Sequence, residues 1–87
     1  MRVVATRIER DGTMQRRMVD TAYHSDGAQW EDLATRALAI SPRYRPVPGC
    51  TIYHISADDR VVLVAEHDLY GPLLDLVTAV LAAGSEL

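Results

Sequence analysis

The sequence has one cysteine, Cys50, no lysine and no long apolar run. A single cysteine cannot form an internal disulfide, which excludes the small extracellular domains that depend on disulfides for stability. No stretch approaches the ~18 consecutive apolar residues of a membrane-spanning helix, and no signal-peptide core lies near residue 1. We therefore expect a cytoplasmic protein that does not bind a membrane.

Residue patterns typical of catalytic or metal sites are also missing. Cys50 and His54 are four residues apart on a predicted strand, which separates them by about 13 Å, too far for one metal site or for a nucleophile and its base. The chain has no CxxC or HExxH spacing and no glycine-rich phosphate loop. We predict no metal, no cofactor and no enzymatic activity.

The charge pattern argues against nucleic acid as a partner. The net charge is −3, whereas binding to a phosphate backbone needs a concentrated basic surface. The first two predicted strands carry arginines that form a candidate RNA-binding surface: Arg7, Arg10, Arg16 and Arg17. These strands contain no aromatic residue on which a base could stack, so we expect no nucleic-acid partner.

The first half of the chain predicts two strands followed by a helix. Strands over Val3–Glu9 and Met14–Asp20 flank Asp11-Gly12, a turn dipeptide. We expect the face of the second strand that carries Met14 and Met18 to point inward. Asp26 is the predicted N-cap of the helix, with Gln29 positioned for a capping box, and Ser41-Pro42 ends the helix. Helical spacing predicts one buried stripe: Trp30, Leu33, Ala34, Ala37 and Leu38.

The second half repeats this order. Strands over Thr51–Ser56 and Arg60–Glu66 flank Ala57-Asp58-Asp59, and the unbroken apolar run at residues 61–64 favours a central strand. Pro72 suits a first helical position, and Gly84 is a candidate end of the helix. The second buried stripe is Leu73, Leu76, Val77, Val80 and Leu81.

These elements predict an α+β fold of order ββαββα. We expect one domain over residues 1–87, built from two ββα units (about 1–41 and 50–84) that a proline-rich connector joins. Because a chain this short has a thin core, we expect a four-stranded antiparallel sheet with both helices on one face. The opposite face would then be at least half exposed.

The connector contains the most informative polar segment, Arg43-Tyr44-Arg45. Tyrosine and arginine are enriched at binding hot spots, and flanking prolines reduce the entropy that a loop loses when it binds. The alternative is a solvated crossover in which Tyr44 covers the edge of the core.

The order of elements and several short motifs resemble the emfourin family, small proteins that inhibit thermolysin-like (M4) metallopeptidases. The motifs are an opening Met1-Arg2-Val3, the strand Arg16–Thr21, the helix Trp30–Leu38, the strand Thr51–Ile55 and Asp68-Leu69 followed by Pro72-Leu73-Leu74. The first turn, at residues 10–13, is shorter and more polar than the Gly-Gly-rich turn of that family.

The resemblance implies a protein that occludes the cleft of a zinc metallopeptidase, with the zinc belonging to the peptidase. Candidate partner-binding residues are Arg43, Tyr44, Arg45, Asp11 and Gly12. The alternative function is a structural or assembly subunit that dimerises through an open sheet edge or face. Either a monomer or a homodimer is compatible with the sequence, and apolar residues opposite the helices, for example Val3, Ala5, Val62 and Val64, would favour the dimer.

Overall fold

A computed structural model of the chain describes residues 1–40 and 42–86. The strands and helices, in chain order, are β1 (Arg2–Ile8), β2 (Met14–Asp20), α1 (Gly27–Leu38), β3 (Ile52–Ala57), β4 (Arg60–Ala65), α2 (Gly71–Ala83) and β5 (Ser85–Glu86). Short 3₁₀ turns at Thr21–Tyr23 and Glu66–Asp68 follow β2 and β4. The predicted order ββαββα is therefore present, with one additional strand.

The five strands form one antiparallel sheet in the order β4-β3-β1-β2-β5. The prediction of four strands missed β5, whose two residues pair with Arg17 and Met18 of β2. The prediction of a central position for residues 61–64 was wrong, because β4 pairs only with β3 and is an edge strand. Its apolar run arises because one face lies in the core and the other carries apolar residues towards solvent.

Both helices pack on the same face of the sheet, as predicted. Their stripes join the strand residues in one buried cluster: Val3, Ala5, Val19, Ala34, Ala37, Leu38, Ile55, Ala57, Val62, Val64, Leu73, Leu76, Val77 and Val80. Trp30, Leu33 and Leu81 are partly buried against it. This burial assigns Val3, Ala5, Val62 and Val64 to the helix side, so they are not the exposed residues that would favour a dimer.

The inward face of β2 is the opposite of the predicted one. Val19 is 1% exposed and pairs with Val3 on the helix side, whereas Met14 is 60% exposed on the other side. Arg17 lies on the helix side too, near Glu86 of β5 with 3.7 Å between Nη1 and Oε1. The long stem of an arginine can cover apolar surface while its charge stays in solvent, so an inward position for Arg17 is compatible with its charge.

The predicted capping box of α1 does not form. Asp26 is the N-cap residue, but its side chain makes no capping hydrogen bond; instead its carbonyl oxygen accepts from the backbone N–H of Gln29 at 3.0 Å. Gly27 starts the helix because a Cβ at this position would lie 2.3 Å from the carbonyl oxygen of Thr21. Close backbone approach, rather than a side-chain cap, positions this end of α1.

The second helix starts as the sequence indicates, with Pro72 in its first turn. Gly84 is the C-cap, and a Cβ there would lie 2.6 Å from the oxygen of Val80 and 3.0 Å from that of Met18. The chain can therefore pass close to β2 and form β5. Ser41, where the first unit and its helix stop were predicted to end, and Leu87, the last residue of the predicted domain, lie outside the described residues. Neither described helix has the length and apolarity required to cross a bilayer.

Candidate partner-binding surface

Three loops emerge at the same end of the sheet. The pairs Ile8–Met14, Ile8–Ile52 and Ile52–Ala65 place the end of β1, the starts of β2 and β3, and the end of β4 side by side. The segments that leave these strand ends are residues 9–13, 42–51 and 66–70, which we call the loop end. All five predicted partner-binding residues belong to it.

An ion pair ties the connector to the loop after β4. Nη2 of Arg45 donates to Oδ1 of Asp68 at 2.6 Å, and the Asp68 side chain is only 12% exposed. The hydrogen bond from Arg45 lowers the pKa of Asp68 below its usual range, and the positive charge of Arg45 acts in the same direction. The second oxygen of Asp68 lies 3.3 Å from Nε2 of His67, which can pair with it when protonated. Arg45 thus has a partner within the chain, which holds the connector in place.

The connector also contacts the turn between β1 and β2. Oγ1 of Thr51 donates to Oε2 of Glu9 at 3.2 Å. Gly49 has φ +81°, and a Cβ on it would lie 3.6 Å from Cδ of Arg10. These contacts bring the end of the connector against the β1–β2 turn, although the contacting residues are about forty residues apart in the sequence.

The β1–β2 turn is held by its own hydrogen bonds. Oδ1 of Asp11 accepts from the backbone N–H of Thr13 at 2.9 Å, and the N–H of Gly12 donates to the oxygen of Glu9 at 3.0 Å. The hydrogen bonds from Thr13 lower the pKa of Asp11. Gly12 has φ +88°, a left-handed conformation that favours glycine. A defined turn therefore presents the exposed Asp11 carboxylate at the loop end.

Large apolar side chains are exposed at and beside the loop end. Tyr44 is 40% exposed, Val47 53% and Tyr70 72%. Ile40, just before the connector, is 61% exposed. Ile40 and Tyr70 also line a small cavity of about 40 Å³ between the end of α1 and the start of α2. Four of the eight large apolar residues that are exposed in the described chain lie here.

Sequence reasoning missed Ile40, Val47 and Tyr70 as site residues. Each lies in an irregular segment, and no periodic pattern marks it. Val47 gave a usable signal, since it stands between two prolines in the segment already singled out. Tyr70 becomes a neighbour of the connector through the Arg45–Asp68 contact and through the cavity that it lines together with Pro42, neither of which the sequence reveals.

A second exposed surface is the face of the sheet that carries no helix, which we call the open face. Twelve of its side chains, read from the strand registers, form three rows of four: Val4, Thr6, Ile8, Met14, Arg16, Met18, Ile52, His54, Ser56, Val61, Leu63 and Ala65. Arg2 and Asp20, at one end of β1 and β2, and Ser85 of β5 lie on the same face beside these rows. Eight of the twelve are apolar; Met14 and Val61 are each 60% exposed, whereas Val4, Thr6 and Ala65 are buried. These residues, and not Val3, Ala5, Val62 or Val64, are the apolar side chains opposite the helices.

The residues considered for metal binding or nucleophilic catalysis do not form a cluster. Within residues 1–40 and 42–86, no group of three histidine, cysteine, aspartate or glutamate side chains is arranged to hold a metal ion. Cys50 is half-buried and precedes β3, whereas His54 lies within β3 on the open face. A cleft of about 250 Å³ lies at the opposite end of the sheet, between the end of α1 and the Asp58-Asp59 turn.

Comparisons with known proteins give no relative for this chain. It matches no protein-family model, no curated protein and no solved structure. The loop end, the open face and the short sequence motifs are therefore the features from which a function can be inferred.

Proposed function

We propose that this chain is a non-catalytic binding protein and that its loop end contacts the partner. The observation that carries the proposal is the exposure of Tyr44, Val47 and Tyr70 on loops that the Arg45–Asp68 pair holds together. Burying exposed apolar groups against a partner removes them from water, which lowers the free energy of the complex. Because the loops are already tied, less conformational entropy is lost on binding.

The partner that we propose is a thermolysin-like metallopeptidase, whose substrate cleft the loop end would occlude. The resemblance of the sequence to the emfourin family supplies this partner class. The geometry fits it in one respect: the three loops project together beyond the strand ends, as a cleft-filling surface requires. The catalytic zinc would belong to the peptidase. The single thiol, Cys50, fits a reducing compartment, and we place the protein in the cytoplasm.

The test is inhibition of pure peptidases by the pure chain. Thermolysin and a panel of related enzymes are assayed with a quenched fluorescent peptide, with the chain in micromolar excess. We expect slowed hydrolysis of at least one enzyme and an apparent inhibition constant that rises with substrate concentration, as competition for the cleft requires. No slowing across the panel would overturn the metallopeptidase assignment.

A matched pair of tyrosines tests the surface. Tyr70 is 72% exposed at the loop end, and Tyr23 is 87% exposed at the opposite end of the sheet. We expect Tyr70→Ala to weaken inhibition roughly tenfold, as loss of one aromatic contact does, and Tyr23→Ala to leave it unchanged. Equal effects of the two substitutions would show that the loop end is not the contact surface.

A further inference from the structure

The open face has a regular arrangement of side chains. The registers place them in three rows across β2, β1, β3 and β4: Met18, Val4, Ser56, Val61; then Arg16, Thr6, His54, Leu63; then Met14, Ile8, Ile52, Ala65. The outer rows are apolar except for Ser56. The middle row contains the other three polar side chains.

We propose that the open face is the interface of a homodimer, in which two copies stack sheet against sheet. The two-fold axis would run parallel to the strands, midway between β1 and β3. This rotation puts β1 over the partner's β3 and β2 over the partner's β4, and it keeps each row opposite the same row. Sheets that pack face to face keep their strand directions within about 30° of each other, which this arrangement allows. The proposal is independent of the proposed inhibitory function.

The rows are complementary to themselves under this rotation. Met18 of β2 faces the partner's Val61 on the edge strand β4, so a long side chain meets a shorter one. Met14 lies opposite the position of the partner's Ala65, whose own side chain is fully buried. Ile8 faces the partner's Ile52. In the middle row, Thr6 faces the partner's His54, which pairs two polar side chains that can hydrogen-bond. Four of the six pairs are thus alike in polarity, whereas Val4 faces the partner's Ser56 and Arg16 faces the partner's Leu63.

The distribution of charge on the open face also allows a second copy of the chain to bind there. Arg16 is the only arginine, lysine or acidic residue among the twelve positions. It lies on β2 in the middle row, opposite the partner's Leu63, and it is exposed, so its guanidinium can reach solvent at the rim. The two copies of Arg16 lie at opposite edges of the interface, about 15 Å apart across four strands. Within the twelve positions no pair of like charges is brought together; Arg2 and Asp20 lie beside them, beyond the row that contains Val4.

The area of the open face sets the affinity that we expect for the dimer. Four strands about 4.8 Å apart and three rows about 6.8 Å apart cover roughly 400 Å². A standard interface buries about 800 Å² per partner. We therefore expect a reversible dimer with a dissociation constant in the micromolar range, rather than an obligate one.

Sedimentation velocity over a series of concentrations from about 1 to 500 µM measures this equilibrium directly. We expect a shift from monomer to dimer within that range. A chain that stays monomeric at the highest concentration overturns the proposal, and so does a species larger than a dimer.

Two valine substitutions of the same kind identify the surface. Val61→Asp puts a charge on the open face, and Val47→Asp puts the same charge on the connector, where the valine is 53% exposed. We expect Val61→Asp to weaken dimerisation roughly tenfold to hundredfold, because an unpaired carboxylate would be desolvated. We expect Val47→Asp to leave it unchanged. A dimer that tolerates Val61→Asp forms through another surface and overturns the proposal.

A mixture tests the axis itself. Met18→Lys alone should also give monomers, because it buries an ammonium against the partner's Val61. When the Met18→Lys and Val61→Asp chains are mixed, the lysine of one faces the aspartate of the other, and the second contact of the pair keeps its native residues. We expect the mixture to dimerise at least tenfold more tightly than either variant alone. If both variants are folded by circular dichroism and the mixture does not dimerise, the proposed axis is wrong.

Discussion

The two ends of the sheet carry different kinds of loops. At the end opposite the loop end, polar groups of the chain satisfy one another: Oγ1 of Thr21 accepts from the backbone nitrogen of Met1 at 3.1 Å and lies 2.8 Å from Oε2 of Glu31. Nη1 of Arg60 donates to the oxygen of Leu38 at 3.1 Å, which ties β4 to the end of α1. One large apolar side chain, Tyr23, is exposed in the 3₁₀ turn there.

At the loop end, polar contacts hold the backbone while apolar side chains stay exposed. The Arg45–Asp68 and Thr51–Glu9 hydrogen bonds fix the connector, yet Tyr44, Val47 and Tyr70 face solvent. The comparison shows that one end is completed by contacts within the chain. The other end is ordered but keeps apolar surface that a partner can bury.

The largest expected effect on stability comes from a glycine at the opposite end. Gly27→Ala would place a Cβ 2.3 Å from the oxygen of Thr21. We expect it to lower the free energy of unfolding by about 1–3 kcal/mol, the usual cost of overpacking. Urea unfolding followed by circular dichroism measures the change.

Gly12 at the loop end is the control for that substitution. A Cβ on it meets nothing within 4 Å, and only its φ of +88° restricts the choice of residue. Asparagine tolerates a left-handed backbone better than alanine. Gly12→Asn should therefore be milder than Gly12→Ala, whereas Gly27→Asn should be no better than Gly27→Ala. The same order at both positions would contradict the distinction between a steric and a conformational requirement.

The next largest effect on stability is expected at Thr21, whose hydroxyl contacts Met1 and Glu31 at the end opposite the loop end. Thr21→Val keeps the shape of the side chain but removes the hydroxyl that contacts Met1 and Glu31. We expect a loss of about 1–3 kcal/mol, the range for hydrogen bonds to charged groups, because the partners are the N-terminal ammonium and the Glu31 carboxylate. Thr21→Ser, which keeps the hydroxyl, should lose less. A Thr21→Val chain as stable as the native one would contradict a role for these hydrogen bonds.

A smaller effect, on binding alone, is expected at the loop end. Tyr44→Ala removes an aromatic ring that is 40% exposed and should weaken inhibition of a responsive peptidase by about 1–2 kcal/mol. Its unfolding midpoint should stay within error of the native value, because the ring is not part of the buried core. A large loss of stability would instead support the view that Tyr44 covers the edge of the core.

The smallest expected effect on stability comes from the Arg45–Asp68 ion pair and depends on pH. Arg45 lowers the pKa of Asp68 in the folded chain, so the ionised carboxylate stabilises the fold above the ordinary aspartate pKa of about 3.9. This contribution is lost as the pH falls through the lowered value. Asp68→Asn should therefore be less stable than the native chain at pH 7, and the difference should shrink as the pH falls towards 2. A difference that is independent of pH would show that the ion pair contributes nothing.

Much of the fold could be predicted because helical periodicity is strong. The stripes that begin at Trp30 and Leu73 follow the spacing of a single buried face, and both lie in the core. The inward face of β2 could not be predicted, because each of its faces mixes apolar and polar residues. The methionines look more apolar, but the face with Val19 and Arg17 packs under α2. β5 has only two residues, too few for any pattern, and depends on the close approach of Gly84 to β2.

The candidate site was predicted only in part for a related reason. Composition singled out Arg43, Tyr44 and Arg45 in the connector, and turn chemistry singled out Asp11 and Gly12. Strand pairing brings these segments to one end of the sheet. It also brings Tyr70 there, from a loop more than twenty residues further along the chain. A contact between distant segments leaves no mark in either segment alone, so the full surface needs the structure.

Hydrogen exchange of the chain, alone and with a peptidase that it inhibits, tests the central claim most directly. The chain is kept near 1 µM, where we expect it to be monomeric. We predict slower exchange of backbone amides in residues 9–13, 43–47 and 66–70, and unchanged exchange at Thr21–Tyr23 and at the Asp58-Asp59 turn. Protection confined to the opposite end of the sheet, or to the strands of the open face, would contradict the account of the loop end as the binding surface.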